Sequence, residues 1–187
     1  MWQIREINPS IVEHVYERVI ETFDVSANEK VMKEIIRVQK LTRSLFTDPR
    51  RWTKGTNQNI HVDSGLICYC LNGGMLAVIG PTPTSCISFD TYRRREAEAY
   101  AANRIETIYD YKTRDAWLDD VDHITNTFTS IATESLVYRE GHLPPSSFVQ
   151  FNDSEFTDHA TLLQFLDQSI KLAEAVLEIC QSTVVTE

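Results

Sequence analysis

Leu163, Leu166, Ile170, Ala173, Leu177 and Cys180 recur at intervals of three and four residues, and Leu162, Leu172 and Val176 widen the stripe. That spacing puts all of them on one face of an α-helix, because 3.6 residues complete a turn. A helix this apolar along one side must bury that side against other elements. The same period recurs upstream. Val12, Val15, Tyr16, Val19 and Phe23 follow Asn8-Pro9, where Asn serves as the N-cap and Pro takes the first helical position. Ser26-Ala27-Asn28-Glu29 reads as a capping box opening a second helix to about Thr47, with Val31, Ile35, Val38, Leu41 and Leu45 on its apolar face. Asp48-Pro49 stops it. Asp90 caps a basic helix from Tyr92 to about Tyr109. Asp115 opens another, with Trp117, Val121, Ile124, Phe128 and Ile131 on one face, ending near Gly141.

The pattern predicts a mainly α, single compact domain of about six helices with at most a minor extended or β element. Within residues 1–187 the parts are a helical N-terminal region 1–47, a motif core 48–80, an enlarged middle 81–145 and a C-terminal helix 157–181 capped by Thr157. Two segments break the helical period. Arg50 to Ser64 is dominated by polar turn formers. Leu66 to Ile79 is apolar and short, and its length suits either a buried strand or a buried helix. The Gly73-Gly74 pair argues against an ordinary amphipathic helix, so the segment reads as a buried helix that another element approaches closely. Gly80 to Pro83 reads as a loop. Pro144-Pro145 introduces Phe148 to Phe151 as a short strand or extended segment.

Composition narrows the function classes. Net charge is −9, which disfavours direct nucleic-acid binding. The charge is uneven: residues 1–114 carry 16 Lys/Arg and 14 Asp/Glu, whereas residues 115–187 carry 2 and 13. One reading is complementarity between the two halves, within a chain or between copies of it in a homo-oligomer. The sharper reading is an acidic half that meets a basic protein partner. No apolar run approaches the length of a membrane span, and the first residues lack the pattern of a signal peptide. Four irregularly spaced cysteines, Cys68, Cys70, Cys86 and Cys180, suit reduced thiols and a cytoplasmic location. Cys68 and Cys70 are too close in sequence for an unstrained disulfide with each other.

Several residues bear chemistry worth weighing. Lys30, Lys33, Arg37 and Lys40 recur at helical spacing, and Arg93, Arg94 and Arg95 form a second basic cluster. Guanidinium groups so arranged can grip phosphate, which would suit a nucleotide or other small-molecule ligand. The plainer reading is a solvated helix face that pairs with the acidic half. Cys70 with His159 and Asn152 has the chemical types of a cysteine hydrolase. His61, Cys68, Cys70 and His159 could be written as a metal set, but a one-residue gap between cysteines suits zinc poorly. More often such cysteines are small buried hydrophobes in a core. Trp52 and Gly55 could frame a pocket or close the core. Asn152-Asp153 could contact a ligand or serve turn and capping chemistry. The ligand-contact candidates are therefore Trp52, Cys70, Asn152, Asp153, Arg93 and Arg94. No catalytic residue, metal ligand or cofactor is assigned.

The chain resembles an uncharacterised bacterial and phage family of domains of unknown function. Trp52-Thr53-Lys54-Gly55 is similar to that family's Trp-x-x-Gly turn. Cys70-Leu71-Asn72-Gly73-Gly74-Met75 is similar to its Cys-x-x-Gly-Ala-Leu segment, with Gly74 for Ala and Met75 for Leu. Phe151-Asn152-Asp153 matches its Trp-Asn-Asp with Phe for Trp, and Thr157 and the closing amphipathic helix complete the order. The likeness covers residues 30–175, with the middle enlarged. It implies a small, mainly helical cytosolic domain and transfers no catalytic residue. The functional expectation is a non-enzymatic binding or regulatory protein, phage- or mobile-element-encoded, acting through its acidic C-terminal half or a small pocket. The alternative is a nucleotide-binding protein or a cysteine-dependent hydrolase built on Cys70 and the basic clusters.

Overall fold

A computed structural model describes residues 1–23, 28–61, 63–79 and 114–184. Their order is β1 (Gln3–Ile4), α1 (Pro9–Thr22), α2 (Asn28–Leu45), a short 3-10 turn (Pro49–Arg51), β2 (Gln58–Ile60), β3 (Ile67–Tyr69), α3 (Leu71–Ile79), α4 (Arg114–Leu136), β4 (Val137–Tyr138), α5 (Phe148–Asp153) and α6 (His159–Val184). The protein is mainly α, with six α-helices among the described residues and two small antiparallel sheets. β1 pairs with β4, placing Ile4 opposite Val137, and β2 pairs with β3, placing Gln58 opposite Tyr69.

Helix α1 starts where the sequence places it. Asn8 is extended, its side chain accepts from Ile11 N, and Pro9 occupies the first turn. Helix α6 is the spine of the bundle and packs on α1, α2 and α4, with its most extensive interface on α2. Its stripe is fully buried at Leu162, Phe165, Leu166, Leu172, Ala173 and Val176, and α2 answers with Val31, Met32, Ile35 and Val38. Burying such side chains stabilises a fold by roughly 1.5–3 kcal/mol each before entropy is counted. In α4, Val121, Ile124, Phe128 and Ile131 are buried on one face, while the side chain of Trp117 lies outside the described residues.

A polar seam runs through this core. Gln39 of α2, Thr129 of α4 and Ser169 of α6 are wholly buried. Gln39 Nε2 donates to Ser169 Oγ at 2.8 Å and reaches Thr129 Oγ1 at 3.4 Å, so one amide links three helices. Thr129 and Thr133 return their hydroxyl protons to the carbonyls of Thr125 and Thr129. Buried polar groups are tolerated where they find partners of this kind.

Charge complementarity between the halves is visible in three ion pairs: Arg18–Glu134 at 2.6 Å, Lys40–Glu174 at 2.7 Å and Arg43–Asp167 at 2.8 Å. All are partly exposed, so each contributes at most about 1 kcal/mol. Their larger effect is on which faces meet.

Four local expectations are corrected. Leu66 to Ile79 is not one buried helix. Ile67–Tyr69 is strand β3, and α3 begins only at Leu71. Pairing decides this: Tyr69 lies opposite Gln58, and its carbonyl accepts from Thr53 N at 2.9 Å. Cys70 is the junction, its carbonyl taking the first helical bond from Gly74 N. Phe148–Asp153 is helix α5 rather than an extended segment, because Ser147 caps it by accepting from Gln150 N. Thr157 does not cap the last helix. Its hydroxyl bonds to the carbonyl of Phe151, and Asp158 accepts from Thr161 N at 2.7 Å instead. That bond also holds the Asp158 carboxyl below its ordinary pKa. The long helix ends at Leu136 rather than near Gly141, where the chain enters β4. The capping residues Ser26 and Ala27, the loop Gly80 to Pro83 and the basic helix capped by Asp90 lie outside the described residues.

Candidate functional site

The 3-10 turn after α2 sets the position of Trp52. Asp48 accepts from Arg50 N at 3.0 Å and pairs with the Arg50 guanidinium, which pulls its carboxyl down to about 2. Trp52 leaves this turn in extended conformation beside Tyr69. Its indole Nε1 donates to Asn152 Oδ1 at 2.8 Å, and the same oxygen accepts from Leu71 N at 3.1 Å. Asn152 is 1% exposed. One buried amide oxygen thus satisfies an indole and an N–H at the start of α3, which no residue within that helix can satisfy. The amide nitrogen of Asn152 donates to Asp153 Oδ1 at 2.7 Å and to the Thr53 carbonyl at 3.4 Å.

The turn following Trp52 closes the arrangement. Gly55 has φ +72°, a conformation that favours glycine, and its N–H donates to Asp153 Oδ1 at 2.8 Å. Lys54 Nζ lies 5.4 Å from the Trp52 ring centre and donates to the carbonyls of Ser154 and Thr157 at 2.6 and 2.5 Å. The segment 52–55 is therefore latched to 151–157 by side chains that fill one another's hydrogen-bonding capacity.

Cys70 joins this region through Asn57. Its thiol donates to Asn57 Oδ1 and accepts from Gly73 N, both at 3.4 Å, while Asn72 Nδ2 reaches the same Asn57 oxygen at 3.3 Å. Burial pushes the Cys70 thiol pKa up, outweighing the backbone bonds that favour the thiolate. The glycine pair explains how close the loop comes. A Cβ on Gly73 would overlap the Asn57 carbonyl, falling 2.6 Å from its carbon, and a Cβ on Gly74 would stand 2.5 Å from Phe46 Cζ.

Trp52, Asn152 and Asp153 thus meet directly, and Cys70 borders them. The hydrolase arrangement is not assembled. His159 Nε2 bonds to the Phe46 carbonyl at 2.8 Å, Asn152 is committed to Trp52 and Leu71, and Cys70 bonds to Asn57. Among the described residues no cluster of three or more His, Cys, Asp or Glu side chains could hold a metal ion. The basic face of α2 is largely engaged. Lys33 pairs with Glu29, Arg37 with Glu34, and Arg37 also donates to the Ile79 carbonyl at 2.7 Å, satisfying the C-terminal end of α3. Arg93 and Arg94 lie outside the described residues.

The neutral, enclosed state of Cys70 has a chemical consequence. At pH 8 it is expected to react with iodoacetamide at least about tenfold more slowly than an unhindered cysteine, because the thiolate is the nucleophile. Intact-mass kinetics on native protein checks this, and labelling at the rate of a small thiol would contradict it. The raised pKa also has a stability sign. The contribution is fully present below the unfolded value and is lost as pH rises through the higher, folded one.

Two concave regions lie apart from the ligand-contact candidates of the sequence. One lies between α1 and α6 and is lined by Ile7, Pro9, Val12, Ala175, Glu178 and Ile179. The other lies where Arg5, α1 and the end of α4 meet. Both draw residues from segments more than a hundred positions apart, so no local motif marks them. The one sequence signal is the four-residue spacing of Ser10, His14 and Arg18.

Comparisons with protein-family profiles, curated proteins and solved structures find no match. No helix of the described residues is long and apolar enough to cross a membrane.

Proposed function

We propose that this chain is a non-enzymatic binding protein that receives a basic, partly apolar segment of a protein partner in the groove between α1 and α6. The observation that carries this reading is the groove itself. It encloses about 470 Å³, and Ile7, Pro9, Val12, Ala175 and Ile179 give it an apolar floor. Glu178 stands on its wall and is exposed. On α1, the exposed Glu13 follows the groove residue Val12. An apolar floor with an acidic wall at Glu178 complements an amphipathic helix bearing Lys or Arg beside its apolar face. The acidic C-terminal half supports this role only in part, since Glu134, Asp167 and Glu174 are paired within the chain. The engagement of Cys70, His159 and Asn152 in structural bonds is in keeping with a binding role.

The test uses a fluorescent amphipathic peptide of Leu and Lys, with a Leu and Glu peptide of the same pattern as control. Anisotropy should show the basic peptide bound and the acidic one excluded. Glu178→Lys should weaken binding about fivefold through charge, and Val12→Asp should abolish it. Raising salt should weaken binding as screening shortens. Equal binding of both peptides, or binding indifferent to both substitutions, would refute the proposal.

A further inference from the structure

On the other side of α1, a cleft of about 400 Å³ is lined by Arg5, Ser10, His14, Arg18, Glu134 and Ser135, with Ile11 its apolar member. We infer that this cleft is a binding site for a small phosphate ester of a hydroxylated molecule, distinct from the α1–α6 groove.

Three elements converge to build it. Arg5 follows β1, and its backbone N–H donates to the Leu136 carbonyl at 2.9 Å. Its guanidinium donates through Nη1 to the Ser135 carbonyl at 3.1 Å and lies 4.9 Å from the Tyr138 ring centre. The group is therefore held in place before any ligand arrives. A guanidinium carries five N–H donors in one plane, and this contact uses one of them. Arg18 is anchored in the same way, with Nη1 on Glu134 Oε2 at 2.6 Å. Ser10, His14 and Arg18 lie on successive turns of α1, on one line along the cleft.

The donor set selects the ligand. Two guanidinium groups, an imidazole and a hydroxyl approach from more than one direction, which suits the several oxygens of a phosphate better than one planar carboxylate. Glu134 gives one oxygen to Arg18, and its other oxygen can accept from a ligand hydroxyl. The volume lies in the range of small-molecule sites and leaves room for more than a bare phosphate. The lining residues themselves carry two arginines against one glutamate.

Calorimetric titration of the full chain tests this, with glycerol phosphate, inorganic phosphate, glycerol and citrate as probes. Glycerol phosphate should bind most tightly, inorganic phosphate at least about tenfold more weakly, and glycerol not measurably. His14→Gln and Arg18→Gln should each weaken glycerol phosphate binding about fivefold to tenfold. His14 is exposed, so the first substitution leaves folding intact, and unchanged thermal melting of the free variant confirms that. The inference fails if neither phosphate binds, if citrate binds as tightly as glycerol phosphate, or if both variants bind like the parent. Peptide binding in the α1–α6 groove is a separate readout and should be unaffected by His14→Gln.

Discussion

Gly73→Ala is expected to destabilise the protein by about 3 kcal/mol or more, enough to lower its yield of folded material sharply. The added Cβ would meet backbone, not a side-chain tip. It would overlap the carbonyl of Asn57 in the loop leading to β2. Neither partner has an easy retreat. Helix α3 is held at its start by the bond from Leu71 N to Asn152, and Met75 beneath it is fully buried. The Asn57 side chain is tied to Cys70 and Asn72. Alanine's better helix propensity returns only about 1 kcal/mol. Urea unfolding should show the midpoint falling with little change in slope. Gly74→Ala is the informative comparison, since its Cβ would meet the buried ring of Phe46 rather than backbone. A Gly73→Ala protein as stable as the parent would mean that the loop does not press on α3.

Asn152→Ala is expected to cost about 3 kcal/mol. The substitution removes the shared acceptor of Trp52 Nε1 and Leu71 N, and Leu71 is fully buried. A donor stranded in a dry interior loses its water without replacement, typically at 1–3 kcal/mol. The loss also releases Asp153, whose Oδ1 is shared between the Asn152 amide and Gly55 N. Thermal melting together with urea unfolding measures the effect. Asn152→Asp should not rescue it. A carboxylate there can still accept from Trp52 and Leu71, but it would face the Asp153 carboxylate at close range.

Much of this region was legible in the sequence. Asn8-Pro9, the stripes of α1 and α6, most of the α2 stripe and the reading of Gly73-Gly74 as a close approach all rest on local rules, and local geometry obeys them; Leu41 departs from its stripe, exposed at 39% while Thr42 beside it is fully buried. Trp52, Cys70 and Asn152-Asp153 stood out as constrained positions; Trp52 and Asn152-Asp153 meet, and Cys70 borders them. The reason for their constraint was not legible. An Asn before a helix reads as a turn or cap, whereas Asn152 serves a donor 81 residues away at Leu71. The split of Leu66 to Ile79 was hidden because a short apolar run has no decisive period, and only pairing with Gln58–Ile60 makes its first part a strand. Thr157 and Asp158 are both good caps, and the Phe151 carbonyl captures the threonine. The cross-half ion pairs follow the charge asymmetry, but which residues pair depends on how α2 lies against α6. The cleft at Arg5 and His14 needed the tertiary fold to exist at all.

Trp52 and Asn152 form a tie that holds the motif core to the C-terminal region. A double-mutant cycle in urea measures it most directly, using Trp52→Phe, Asn152→Ala and the pair. If the indole N–H and the amide oxygen are partners, Trp52→Phe costs less once Asn152 is gone, with a coupling of about 1–2 kcal/mol. Costs that add to within about 0.5 kcal/mol would contradict the account.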